Sequence, residues 1–332
     1  MGKKITKRGG LRKGKNTSFS FLPIAAGAIL VLAAFYFSSQ PLTTQHNFTK
    51  QISPNSINLT AISLQVVPSG GYVLPFRWGK SIKTLVDAGA INVSNFTALI
   101  KNSGQQLTGS EKSIINGTYE GYIQFNSTNT EFVQLAFWAL GVNNNNTIIR
   151  NGPIINASIQ YSGQINSNAT TGRTVTPQYV ASQYFASTGG YGPIGRLQFS
   201  ALGVLRLSAA QQSIADYTAE NSYRPCCDNP TAFPDCNHGA AALGIIELLA
   251  SQGATQNQVL RAVEEFNQYQ FPGQYGEIAA YFATQGENYT SINAGAIIGK
   301  NYSSLTGYLR VHQYLIQKGI IKQAAGGAAC GV

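Results

Sequence analysis

The run Phe21 to Phe37, FLPIAAGAILVLAAFYF, places seventeen consecutive apolar residues near the start of the chain, and no ionised side chain occurs between Asn16 and Thr49. A helix needs about 17–25 such residues to cross a bilayer, so this segment reads as a transmembrane anchor. Ahead of it lie Lys3, Lys4, Lys7, Arg8, Arg12, Lys13 and Lys15 with no acidic residue among them. Basic flanks stay in the cytoplasm, which places everything after the anchor outside. A cleaved signal peptide would carry a shorter apolar region, about 7–15 residues, and a small-x-small cleavage site. Phe35-Tyr36-Phe37-Ser38-Ser39-Gln40 is a poor one, and its aromatic side chains suit the outer membrane interface instead. The reading is a single-pass protein of the cell membrane: a cytoplasmic tail over 1–20, an uncleaved anchor over 21–39 and an extracellular remainder.

The formal net charge of +10 changes meaning once the tail is set aside, because 16 basic and 13 acidic residues then remain. Nucleic acid loses its support as a partner, and contact of the tail with anionic lipid head groups replaces it. Charged residues are only 11% of the chain, well under the roughly 25% of ordinary soluble domains. The 43% of hydrophobic residues is enough to build a core. N-glycosylation sequons fit an extracytoplasmic surface. They occur at Asn47, Asn58, Asn92, Asn95, Asn116, Asn126, Asn145, Asn156 and Asn168, and again only at Asn288 and Asn301. The interval without sequons holds three of the four cysteines and nine of the thirteen acidic residues, so chemistry is expected there.

Residues 40–70 are rich in Ser, Thr, Asn, Gln and Pro and read as a stalk. A mainly α-helical, glycosylated domain is expected over 71–322, and the small-residue tail 323–332 is expected to fray. Ser81 to Asp87 and Val93 to Ile100 have helix-start residues, and Thr108-Gly109-Ser110-Glu111 resembles a capping box. Phe132 to Leu140 and Gly239 to Ser251 are apolar on nearly all sides, as central core helices are. Between them, residues 143–176 alternate Asn, Thr, Gly and Ser with Ile, Val and Tyr, which suggests a small β-hairpin or a glycan-bearing loop. Leu197 to Leu207 reads as a helix entered from a glycine-rich turn. Gln256 to Tyr269 is amphipathic, with Val259, Val263 and Phe266 inward and Arg261, Glu264 and Glu265 outward. Ser304 to Lys318 completes a helical C-terminal half.

One constellation stands above this background: Tyr223-Arg224-Pro225-Cys226-Cys227-Asp228-Asn229-Pro230-Thr231-Ala232-Phe233-Pro234-Asp235-Cys236-Asn237-His238-Gly239. Three thiolates and one imidazole make a four-coordinate set, so Cys226, Cys227, Cys236 and His238 are candidate ligands for Zn or Cu. An apolar helix follows, and free N–H groups at its start would favour a thiolate. The C-C-x8-C-x-H spacing is not that of a zinc finger. His312, Asp228 and Asp235 are additional candidates, although His312 lies on an apolar helical stripe and Asp235 suits a helix cap. Two other readings stay open. Outside the cytoplasm the cysteines can be disulfides stapling a loop, with Cys330 as a partner, in a cell-envelope structural protein that binds another envelope protein. Or Cys236 with Cys226 or Cys227 can form the pair of a thiol–disulfide oxidoreductase. No other catalytic arrangement is apparent, so an enzyme is the lesser expectation. Gly190-x-Gly192-x-x-Gly195 matches a dinucleotide fingerprint, but Pro193 interrupts it and no strand precedes it.

The motif YRPCC-x-N-x-x-x-FPDCNHG, followed by an apolar helix ending in Ala250-Ser251-Gln252-Gly253, resembles an uncharacterised family of archaeal and bacterial extracytoplasmic proteins. The resemblance extends over Leu74 to Asp87, Leu135 to Gly141, Phe185 to Gly190, Phe266 to Pro272 and Tyr302 to Tyr308. It implies a setting outside the cytoplasm, such as the surface of a thermoacidophilic archaeon, and no particular activity.

Overall fold

A computed structural model of the chain describes residues 57–168, 174–187, 194–195 and 197–322. The anchor 21–39, the basic tail, Asn47 and Cys330 lie outside the described residues. Among those described, no helix is long and apolar enough to cross a membrane.

The domain is mainly helical with one two-stranded sheet. It begins with α1 (Leu59–Val66), β1 (Tyr72–Arg77), α2 (Ser81–Asp87), α3 (Val93–Asn102), α4 (Gly109–Asn116), β2 (Tyr122–Phe125) and α5 (Thr130–Asn143). There follow α6 (Thr147–Asn151), α7 (Pro153–Asn168), α8 (Pro177–Ser187) and α9 (Ala209–Asn221). The C-terminal part is α10 (Asn237–Ser251), α11 (Gln256–Gln270), α12 (Pro272–Thr284), α13 (Ala294–Ile297), α14 (Lys300–Ser303) and α15 (Leu305–Gln317). The capping box forms as expected, with Thr108 Oγ1 accepting from Glu111 N while Glu111 Oε2 accepts from Thr108 N. Pro272 both ends α11 and opens α12, where its missing N–H costs nothing.

The two apolar helices form the centre. Helices α5 and α10 run antiparallel and touch backbone to backbone through a reciprocal glycine pair. A Cβ on Gly141 would stand 2.2 Å from Ala240 O, and one on Gly244 would stand 2.2 Å from Phe137 O. Around them pack Trp78, stacked on Phe137 at 4.4 Å, together with Phe96, Phe125, Phe132 and Phe266. A second apolar cluster, Val66, Phe271, Tyr275, Ile278, Phe282, Val311 and Leu315, joins α1, α12 and α15. Gly244→Ala should therefore destabilise the domain by about 1–3 kcal/mol, since overpacking outweighs the better helix propensity of Ala. Gly163, in α7, has open space where a Cβ would point, so Gly163→Ala should instead gain up to about 1 kcal/mol. Urea unfolding of the two variants checks this, and equal shifts would contradict the close approach.

Several expectations are corrected. The region 143–176 holds no hairpin among its described residues: Thr147–Asn151 and Pro153–Asn168 are helical, and the only described strands pair Tyr72 with Phe125 and Val73 with Gln124. The buried positions of α7 include Ile154, Ser158 and Ser162, so serines occupy the helical stripe and hide its period. The Asn run is interior and not a surface loop, since Asn143, Asn144 and Asn146 are buried. Asn143 and Asn144 hold the irregular segment 197–205, which replaces the expected helix: Leu202 N donates to Asn143 O at 2.9 Å and Leu205 N to Asn144 Oδ1 at 2.8 Å. The described end of the stalk is folded, with Leu59–Val66 helical and Val66 fully buried. Glu264 does not face away: it is fully buried against Arg261 and Gln268.

Candidate metal centre

The cysteine motif is the loop from α9 to α10, and each end is tied down by backbone. Tyr223 N donates to Ile298 O at 2.7 Å, Thr231 N to Ser222 O at 2.9 Å, and Ala232 N to Ala219 O at 2.8 Å. Leu305 N donates to Cys227 O at 2.9 Å, and Pro225, Pro230 and Pro234 restrict the rest. The loop lies where the two apolar clusters meet: Cys226 packs against the second, and the His238 ring sits 4.4 Å from that of Phe271.

Cys236, not Asp235, is the N-cap of α10. Its extended backbone (φ −139°, ψ 167°) lets Sγ accept from Gly239 N at 3.4 Å. Asp235 is instead paired with Arg224, whose guanidinium is almost fully buried and organises the whole loop. Arg224 Nε donates to Cys236 Sγ at 2.9 Å, Nη1 to Asn229 O at 3.1 Å, and Nη2 to Asp235 Oδ1 at 2.5 Å. Asn229 Nδ2 donates to the other Asp235 oxygen at 2.5 Å. Gly239 makes room for this group, since a Cβ there would stand 2.5 Å from Arg224 Cζ.

The Sγ atoms of Cys226 and Cys236 are 3.6 Å apart. Ligand atoms of Cys226, Cys236 and His238 all lie within 4.8 Å of one another, and so do those of Cys227, Asp235 and Cys236. All four principal candidates thus converge on Cys236, half-buried. Cys227 Sγ lies 3.8 Å from Asp235 Oδ1. The Cys236 thiol is held well below its ordinary value by hydrogen bonds with Cys226 and Cys227, against burial and with help from Arg224 and His238. Its neighbours move the other way. Cys226 is raised by its hydrogen bonds with Cys227 and Cys236 and by burial. Cys227 is pulled down by Cys226 but pushed up to about 12 by Cys236 and burial. The thiolate is therefore concentrated on Cys236, beside the buried guanidinium and at a helix start.

Two additional candidates stand elsewhere. Asp228 serves α15, accepting from Thr306 N at 2.8 Å and Thr306 Oγ1 at 2.6 Å. Burial raises its pKa, but the hydrogen bonds from Thr306 and Ser304 outweigh that and leave it lowered. His312 pairs through Nδ1 with Glu277 Oε2 at 2.7 Å and is neither a core residue nor part of the cluster. Arg224 and Glu131 escaped the reading of the sequence. Burial raises the Glu131 carboxyl and the charge of His238 partly offsets it, which places this acid in the electrostatic field of the site. No family model, curated protein or solved structure matches the chain.

Proposed function

We propose that the chain is a membrane-anchored extracytoplasmic protein that holds Zn2+ or Cu+ through Cys226, Cys236 and His238, with Cys227 as the fourth ligand and Asp235 beside it. The observation that carries this is the sulfur separation of 3.6 Å. Two thiolates bound tetrahedrally at about 2.3 Å stand roughly 3.8 Å apart, whereas a disulfide bond is about 2.05 Å long. Charge agrees in sign: three thiolates around a divalent ion leave one negative charge in excess, beside the Arg224 guanidinium that Cys236 shares with Asp235. A half-buried cluster is open to exchange with a donor or acceptor of metal, which favours metal handling.

The extracytoplasmic setting is supported by the sequons. Asn58, Asn92, Asn95, Asn116, Asn145, Asn156, Asn288 and Asn301 are exposed and Asn126 is half-buried. Asn58, Asn92 and Asn288 accept backbone N–H bonds through Oδ1, which leaves Nδ2, the glycan-bearing atom, unspent on those caps.

Elemental analysis of the natively purified chain, paired with a thiol count under non-reducing denaturation, tests the reading. About one metal equivalent is expected, with at least a ~10-fold loss of affinity, about 1.4 kcal/mol, in Cys236→Ser and in His238→Ala. Metal-free protein without titratable thiols would replace this reading with that of a disulfide-stapled envelope protein. Metal-free protein whose Cys226–Cys236 pair cycles with a glutathione buffer would instead identify a thiol oxidoreductase.

A further inference from the structure

A half-open cleft of about 450 Å3 lies beside the cysteine loop, within the range of roughly 300–1,000 Å3 typical of small-molecule sites. Tyr217 and Asn221, one turn apart on α9, form one wall, and Tyr223 continues it. Gln256 and Asn257 at the start of α11 form another, and the segment from Asn293 to Lys300 closes the third side. We propose that this cleft binds a neutral saccharide. The proposal uses none of the metal ligands and stands whether or not the cluster holds metal.

The chemistry of the walls selects the ligand. Two tyrosines line the cleft, and a phenol ring is a flat apolar surface with a polar edge, on which the C–H face of a sugar ring can lie. The amides supply both donors and acceptors. Asn221 Nδ2 is spent on Tyr217 O at 2.8 Å, so its Oδ1 remains an acceptor. Asn293 Oδ1 is spent on Gly295 N at 2.8 Å, so its Nδ2 remains a donor. Gln256 and Asn257 add one of each apiece, and such a set matches vicinal hydroxyls, every one of which both donates and accepts. Lys300 is the single ionisable group of the lining besides the phenols, and its charge acts on Asp228. A strongly anionic ligand would meet a single cation, a cationic ligand would meet no carboxylate on the walls, and an apolar ligand would strip water from many amides uncompensated. The polar groups stand on helices and on short tied segments, so little ordering entropy is lost on binding.

The full chain is produced without N-glycosylation and without glycoside detergent, so that neither a glycan on Asn301, next to Lys300, nor the detergent fills the cleft. It is titrated with methyl α-D-mannopyranoside and with mannobiose, followed by saturation-transfer NMR and tyrosine fluorescence. Both probes are expected to bind. Tyr217→Ala should weaken binding at least ~10-fold, about 1.4 kcal/mol, while Tyr217→Phe, which keeps the ring face, should retain it. Tyr217 is 46% exposed, so its removal leaves the core intact. Asn257→Ala should weaken binding as well, and Tyr161→Ala, an exposed tyrosine on α7, should not. Absence of binding by both probes overturns the proposal, as does binding that Tyr217→Ala leaves unchanged. Binding of inorganic phosphate that depends on Lys300, with no response to either sugar, overturns it in favour of an anion site.

Discussion

Arg224→Met should cost about 3–5 kcal/mol, the range found when one partner of a buried ion pair is removed. At roughly 2–4 °C of Tm per kcal/mol for a domain of this size, the melting temperature falls by on the order of 10 °C. The reason is the number of groups that share one side chain. Its guanidinium faces the Cys236 sulfur, the Asp235 carboxylate and the carbonyls of Asn229 and Phe233, all in a loop with only three prolines and a few backbone bonds to hold it. Met fills the volume and leaves the half-buried Asp235 and Cys236 without their cation. Arg224→Lys should not rescue, because a point charge cannot reproduce a planar fork of five donors. Gly239→Ala should produce the same phenotype from the other side, since its Cβ would occupy the guanidinium's place. Adding Asp235→Asn to Arg224→Met should recover part of the loss, since the neighbours are coupled and one orphaned charge disappears. Thermal melts of the four variants decide the matter. A shift under 1 kcal/mol (roughly 2–4 °C) for Arg224→Met would falsify the organising role assigned to the guanidinium.

The elements legible in the sequence were those whose signal is local. Thr108 and Ser304 announce helix starts because a side-chain oxygen three residues ahead of an N–H has one obvious use. The runs Phe132 to Leu140 and Gly239 to Ser251 announce buried helices because nothing in them can face water. The convergence of Cys226, Cys227, Cys236 and His238 was legible for the same reason, since a loop this short, stiffened by Pro225, Pro230 and Pro234, cannot scatter them far. What failed was long-range. Asn143, Asn144 and Asn146 look like loop residues until segment 197–205 and Glu247 are brought against them. Glu264 looks solvated until Tyr289, from beyond the next helix, bonds to it and to Gln268. Cys236 took the capping position from Asp235 because Arg224, twelve residues before Cys236, drew the carboxylate away. Polar residues that satisfy one another in the interior carry no periodic signature, so hydropathy patterning passes over them.

Those interior acids give the domain a pH profile of unusual sign. Burial raises the Glu264 carboxyl from 4.5 to about 7, against the opposing pull of Arg261, Tyr289 and Gln268. Burial and the neighbouring Glu264 raise Glu265 to about 7 as well. Glu247, fully enclosed, is raised well above its ordinary value by burial, against the hydrogen bond from Asn144. In the unfolded chain all three titrate near 4.5, so between about pH 4.5 and 7 the native state binds more protons than the unfolded state. Stability is therefore complete below the unfolded value and is lost as pH rises through the native one. At about 1.4 kcal/mol per unit, Glu264 alone contributes on the order of 3 kcal/mol across the window, and Glu265 and Glu247 act in the same direction. Asp228, lowered in the native state, loses its contribution only below the usual carboxylate range, outside this window. Acidification from about pH 7.5 to about pH 4.5 should thus raise Tm, and Glu264→Gln and Glu247→Gln should each flatten the slope. A Tm that falls through this window, or a slope unmoved by both substitutions, would remove the buried acids as its cause. The proposed metal binding should run the opposite way, because protons compete with a metal for thiolate ligands such as Cys236. If the cluster holds metal as proposed, acid-induced metal release measured by elemental analysis should therefore occur without unfolding.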